Sequence, residues 1–403
     1  MKRLAESSTL AELSDAMRSV VVVLVVLVTA CAPESTWLAQ CTEELGMSES
    51  ECELAATFRL PDALPPSRGN RYADDEDAAR LGRRIFFDEA FSTTGVSCAT
   101  CHRPDNAFAE PSAVSEVIPG SPGSRNSPSL LTAARNDGFW LWDGAADSLW
   151  SQPLFALENP IEMASSRLAI AQRIASSEYR SEYEAVFGAF PDLSDPTRFP
   201  RAGRPGDVSW DGMTEESHDV INRIAANVGK ALEAYLRRIA SGPSRMDRYL
   251  DGDRTALSAE ERVGFVRFVR TCTACHFGPM LTDDAFHVAR MEMTDRGRAV
   301  GVETLLSSPF NSLGPYFDPP TATEGRAPLE LPTGPGLEDE RSFRTPTLRN
   351  VTLTAPYTHS GRRTLNEILS TPSFFYEPGD EVVIATFFEA LVGDPPPPEW
   401  ASR

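Results

Sequence analysis

Two short repeats hold most of the chemistry available to this chain: Cys98-Ala99-Thr100-Cys101-His102 and Cys272-Thr273-Ala274-Cys275-His276. Two thiols at this spacing can reach both vinyl groups of one porphyrin while the adjacent imidazole swings under the iron, so C-x-x-C-H reads as a covalent c-type haem site. C-x-x-C alone is shared with zinc sites and thioredoxin-like dithiols. The histidine follows directly in both copies, however. Zinc would require the pairs to meet in one site, and a redox dithiol usually sits in an α/β pattern that this sequence does not show.

Three further cysteines complete the set of seven. Val20 to Val28 is an aliphatic run followed by Thr29, Ala30 and Cys31. It is too short to cross a bilayer and suits the apolar core of a signal peptide. Small residues before Cys31 are similar to a lipobox, which predicts cleavage there and acylation of Cys31; ordinary signal cleavage near Ala30 is the alternative. Glu6, Glu12 and Asp15 are unusual in a signal's first segment, so Met17 followed by Arg18 reads as the true start. Export predicts a periplasmic protein, lipid-anchored to the outer membrane through Cys31. In that oxidising compartment Cys41 and Cys52 can close a disulfide loop, with two unpaired buried thiols as the alternative.

The elements that must position these groups read as mainly α, with two cytochrome c-like haem domains joined in one chain. With 403 residues and 41% apolar side chains the chain can bury a sizeable core, and its formal net charge of -20 has the wrong sign for a nucleic-acid partner. Apolar residues at three and four spacing predict helices over 78–88, 167–187, 216–240, 258–269, 365–369 and 381–391. Strand alternation is weak. The expected organisation is a signal peptide over 1–30, a linker with the disulfide over 31–75, and haem domains over 76–250 and 251–400. Pro- and Gly-rich loops over 191–205 and 307–340 separate helices.

Around the pentads, Leu81-Gly82-Arg83-Arg84-Ile85-Phe86-Phe87-Asp88, Arg125-Asn126-Ser127-Pro128, Trp142-Asp143-Gly144 and Glu158-Asn159-Pro160-Ile161-Glu162-Met163 follow in order. Gly278-Pro279, Thr282-Asp283, Phe286-His287, Phe343-Arg344-Thr345-Pro346-Thr347-Leu348-Arg349-Asn350 and Ala355-Pro356-Tyr357-Thr358-His359 come after the second pentad. In these motifs the chain resembles the bacterial di-haem cytochrome c peroxidase and MauG superfamily. The resemblance implies that hydrogen peroxide reacts at the first haem, ligated by His102, and that the second, ligated by His276, relays electrons. It makes Glu162 the distal acid/base, Gln152 a hydrogen-bond donor to peroxide and Trp142 a stepping stone between the haems. Asn126, Thr354 and Pro356 match positions whose oxygens hold calcium in relatives. Read without the family, Glu162 is a solvated carboxylate and Trp142 a core residue.

The chain departs from the family pattern in two places. No histidine lies between 103 and 217, so the histidine that caps the first iron in many relatives is absent and an open, five-coordinate first haem is expected. His218 reads as a surface residue. The residue expected to supply the second haem's sixth ligand is Pro372, which cannot bind iron; Tyr376 is the leading substitute, with Met280, Met291 and Met293 as thioether alternatives. His287 and His359 read as hydrogen-bonded structural residues. The expected activity is therefore peroxide reduction, with electrons from a small cytochrome c or cupredoxin attracted to the acidic surface. The alternatives are MauG-like oxidation of Trp or Tyr on a partner protein and a non-enzymatic di-haem carrier.

Overall fold

The computed structural model describes residues 34–289, 295–320, 325–371 and 377–403. The expectations placed on 1–30, Cys31, Met291, Met293, Pro372 and Tyr376 fall outside these ranges. Two units are distinguished, Met1–Thr57 and Phe58–Arg403. In the first, α1 (Glu34–Leu45) and α2 (Glu49–Ala56) form a helical hairpin, with Ser48 and Glu51 closing a reciprocal cap at the start of α2. Cys41 and Cys52 are disulfide-bonded, and the Trp37 indole N–H donates to the Cys52 carbonyl.

The second unit is mainly helical. Its elements are α3 (Glu76–Phe87), the short α4 (Cys98–Cys101), α5 (Gln152–Glu158), α6 (Arg167–Ile174), α7 (Arg180–Phe187), α8 (Val208–Asp211) and α9 (Glu215–Arg238). There follow α10 (Arg245–Leu250), α11 (Ala259–Thr271), β1 (Phe286–Val288), α12 (Arg298–Ser307), β2 (Ser342–Arg344), α13 (Leu365–Leu369) and α14 (Asp380–Phe388). The strands pair antiparallel, with His287 opposite Phe343. No described helix is long and apolar enough to cross a membrane.

The helix preceding each pentad crosses a later helix at a glycine. At Gly82 of α3 a Cβ would collide with the Ala231 carbonyl of α9, and at Gly264 of α11 with the Val383 carbonyl of α14. Only glycine permits backbones to approach this closely. Around the first crossing, Leu81, Ile85 and Phe86 join Leu232, Tyr235 and Leu236 in the core; around the second, Phe265 and Phe268 pack on Phe387.

One predicted helix is broken. The stretch 167–187 divides into α6 and α7 because Tyr179 turns inward to donate to Asp88 at 2.7 Å, with Arg84 and Arg173 over its ring. Residues 58–75 pack within the second unit: Phe58 sets its ring against Phe265 and Phe268, and its carbonyl accepts from Arg349. Arg349 also makes a buried two-pronged bond to Asp247, at 2.7 and 2.8 Å. Burial alone would raise the Asp247 carboxyl, but Arg349 and Ser244 bring it below its ordinary value.

The segment after Ser307 lies on α9 and on the chain leading into α5. Ser312 N–H donates to Asp147, Phe310 meets Trp150 edge-on, Tyr316 donates to Asp219, and Asp318 pairs with the buried Lys230 at 2.9 Å.

Replacing Gly82 with Ala should force α3 and α9 apart at a cost of roughly 1–3 kcal/mol or more. Thermal unfolding of the haem-loaded protein checks this; an unchanged midpoint would mean that the crossing is not tight.

Candidate active site

Each pentad begins as a helical turn and ends on its histidine. Nδ1 of His102 faces the Phe108 carbonyl at 3.2 Å, and the Pro128 carbonyl, from the Arg-Asn-Ser-Pro motif, also reaches the ring. Nδ1 of His276 faces the Leu281 carbonyl at 2.9 Å. Phe108 and Leu281 both adopt left-handed backbone, with φ of 52° and 49°. That conformation is costly for residues with side chains, on the order of 1–3 kcal/mol each. Here it turns a carbonyl toward the imidazole in both repeats, a device that no residue type announces in the sequence. Burial pushes both imidazoles toward the neutral form, which leaves Nε2 to ligate a metal.

None of the four pentad cysteines is in a disulfide. Burial, helped by Cys101, pushes the Cys98 thiol up to about 12, and burial also raises Cys101 and Cys275. With each histidine anchored at Nδ1, these residues fit covalently held haem, with Cys98, Cys101 and His102 holding one group and Cys272, Cys275 and His276 the other.

Glu162 is brought beside the first pentad, close enough to act electrostatically on Cys101. Three hydroxyl residues just before that pentad hold its loop: Ser92 donates to the Met163 carbonyl, Thr93 to the Ala164 carbonyl and Thr94 to the Glu162 carbonyl. Burial raises the Glu162 carboxyl above its ordinary value, and one donor, Asn159 Nδ2 at 2.6 Å from Oε1, pulls the other way. Oε2 accepts no hydrogen bond from a described residue. Glu158, in the same motif, is instead paired with Arg167 at 3.0 Å. The motif thus contains one carboxylate paired with a guanidinium and one that meets no described cation. Gln152 opens α5, and its amide makes no hydrogen bond to a described residue.

Sequence reasoning missed Glu110. It is buried, accepts from Ser115 Oγ at 2.6 Å and Ser112 N–H at 3.2 Å, and acts on both Cys101 and His102. Only the residue type hinted at it.

Trp142, Asn126 and His359 converge. The Trp142 indole donates to the Asn126 carbonyl at 2.8 Å, Asn126 N–H donates to the His359 carbonyl at 2.7 Å, and His359 stacks on Phe343 with centroids 3.6 Å apart. The Asn126 amide is used by the Ser112 and Ala113 carbonyls and the Thr354 hydroxyl by Val351. Pro356 lines an open cavity of about 340 Å³ with Tyr357, Arg363 and Thr364. His218 bonds the Trp210 carbonyl at 2.8 Å through Nε2 and stacks on that indole. His287 is exposed and pairs with Asp283 at 2.8 Å. Met280 is partly buried, and its carbonyl accepts from Thr347.

Residues 76–255 match the family described as di-haem cytochrome c peroxidase. The chain is 30% identical over 315 residues to cytochrome c551 peroxidase of Pseudomonas aeruginosa, covering 77% of this chain and 75% of that one. It is 31% identical over 323 residues to methylamine utilization protein MauG of Paracoccus denitrificans, covering 72% of each. In fold it is similar to the diheme peroxidase BthA of Burkholderia thailandensis, with a TM-score of 0.57 and 20% identity over 86% of this chain and 97% of that one. The fold and paired haem-attachment motifs define a c-type di-haem protein. The chain belongs to the di-haem cytochrome c peroxidase family, which implies two c-type haems.

Replacing both Cys98 and Cys101 with Ser should remove one of the two covalent haems while the second pentad keeps its own. Intact mass and haem absorbance per chain measure this; undiminished haem content would refute the assignment.

Proposed function

We propose that this protein is an exported peroxidase that reduces hydrogen peroxide to water at the first haem, with electrons arriving singly through the second. The observation that carries this reading is the Glu162 carboxyl: partly buried, paired with no described cation, hydrogen-bonded by described residues at one oxygen only, and beside Cys101. When bound, haem supplies the iron that holds peroxide and the store for two oxidising equivalents.

The side chains supply proton handling. Glu162 takes the proton from one peroxide oxygen at Oε2 and returns it to the other as the O–O bond breaks, so that the departing oxygen leaves as water. Asn159 fixes the carboxyl's orientation. Gln152, whose amide bonds no described residue, is the donor offered to peroxide. Trp142, fixed through its indole N–H, lies on the route between the haems. Asn126, Thr354 and Pro356 are the candidate calcium positions, with carbonyl and amide oxygens as ligands.

Small cytochromes c and cupredoxins are the proposed donors, drawn by the net negative charge. The absence of a histidine over 103–217 and the commitment of His218 to Trp210 support an open first haem that needs no reductive release of a ligand. Those features, together with the similarity to MauG, also support oxidation of a partner protein's side chains as a second reading. Export through the 1–30 signal and anchoring at Cys31 complete the proposal.

Glu162→Gln should slow the peroxide step about a hundredfold or more, read by stopped-flow haem absorbance; an unchanged rate would remove Glu162 from the mechanism. Glu162 must begin as a carboxylate, so the rate falls as pH drops through its titration. Burial places that limb above an ordinary carboxylate's. Asn159→Ala removes the donor that draws it down, and the acid limb of the pH–rate profile should move to higher pH. A limb that stays in place or moves to lower pH would show that Asn159 does not act on the working carboxyl.

A further inference from the structure

Tyr235 of α9 is fully buried, its ring 5.1 Å from Phe86, and lies within electrostatic reach of Cys98, a haem-attachment cysteine. Its hydroxyl donates to the Trp400 carbonyl at 3.0 Å, and the two ring centroids are 6.4 Å apart. Trp400 is half-buried, packed on Ala78, Ala79 and Ala234, with the Arg238 guanidinium 5.8 Å over its ring. Arg83 holds the tail there through two bonds to the Ser402 carbonyl, at 3.0 and 2.7 Å. A phenylalanine at 235 would fill the same core space, as Phe86, Phe87 and Phe108 do nearby. What distinguishes this position is an oxidisable ring between a haem cysteine and a second oxidisable ring that reaches solvent.

We propose that Tyr235 and Trp400 form a one-electron outlet that carries oxidising equivalents from the first haem site to the protein surface at the C-terminal tail. The inference rests on the peroxidase reading, because peroxide must first load that site. Trp400 loses one electron inward through Tyr235 and its indole proton to water. The Tyr235 proton is already shared with the Trp400 carbonyl while an electron passes. When a donor is present, it refills Trp400. When none is present, a second electron loss and the addition of water leave hydroxylated Trp400. The two electrons and two protons released convert one hydrogen peroxide into two waters, so the sum is Trp400 plus H2O2 giving hydroxytryptophan and one water. Neither residue touches peroxide, and both lie outside the acid/base machinery.

The test is to mix the haem-loaded protein with hydrogen peroxide in the absence of any reductant. Peptide mass mapping then follows Trp400, and freeze-quench electron paramagnetic resonance follows protein radicals. The wild type should show an indole radical and one added oxygen on Trp400. Tyr235→Phe should lose most of that modification while its haem spectrum still responds to peroxide. Trp400→Phe should lose the indole radical and prolong the peroxide-oxidised haem spectrum, a readout that holds even if the Tyr235 variant folds poorly. A responding haem with Trp400 intact, or equal oxidation of Trp400 in wild type and Tyr235→Phe, would overturn the outlet alone. A haem spectrum indifferent to peroxide would overturn the peroxidase reading and the outlet with it.

Discussion

The hydrogen bond from each pentad imidazole to a backbone carbonyl sets the terms for the rest of this molecule. His102 on Phe108 and His276 on Leu281 are held by residues in left-handed conformation, and strain of that kind persists only where surrounding packing over-determines it. The ring is then fixed in orientation, and the opposite nitrogen is the one that would ligate a haem iron. Such anchoring of the far side of a ligating histidine also tunes the metal it holds. A c-type site needs this rigidity because the cysteines fix the porphyrin while the histidine must meet its iron.

The packing that supplies it is repeated. Each pentad follows a helix that crosses another at a glycine, so both pentad turns hang from closely apposed backbones. Polar contacts then tie residues on the two sides of position 250. Arg125, beside Asn126, binds Asp295 through two nitrogens and also contacts Asp143. Arg298 donates to the Asp143 and Gly144 carbonyls between the rings of Phe139 and Phe286. Asp143 directly follows Trp142, so these contacts hold the backbone that bears that indole. Buried charges of this kind are costly unless fully paired, and here the carboxylates and backbone carbonyls meet the guanidinium donors.

Two carboxylates of one motif, four residues apart, show how environment divides their roles. Glu158 meets Arg167, whose guanidinium also bonds Asn222, and is part of the scaffold. Glu162 has burial without a cation, which favours its protonated form and suits a group that must both accept and return a proton. The segment after Ser307, for which the sequence suggested no role, supports the same region from outside: it covers Trp150 and Asp147 just ahead of Gln152.

By itself the sequence determined the haem chemistry, the mainly helical class and the family, because covalent attachment needs adjacent residues and helical periodicity is local. The roles proposed for Glu162, Gln152 and Trp142 come from motif order alone. Their surroundings were not legible in the sequence. The break at Tyr179, the role of Glu110, the hydroxyl ladder from Ser92 to Thr94 and the carbonyls of Phe108 and Leu281 all depend on partners distant along the chain or on backbone angles that residue type does not dictate. Tertiary structure alone decided which carboxyl is paired and which is free, because that difference lies in whether a guanidinium from another helix arrives beside it.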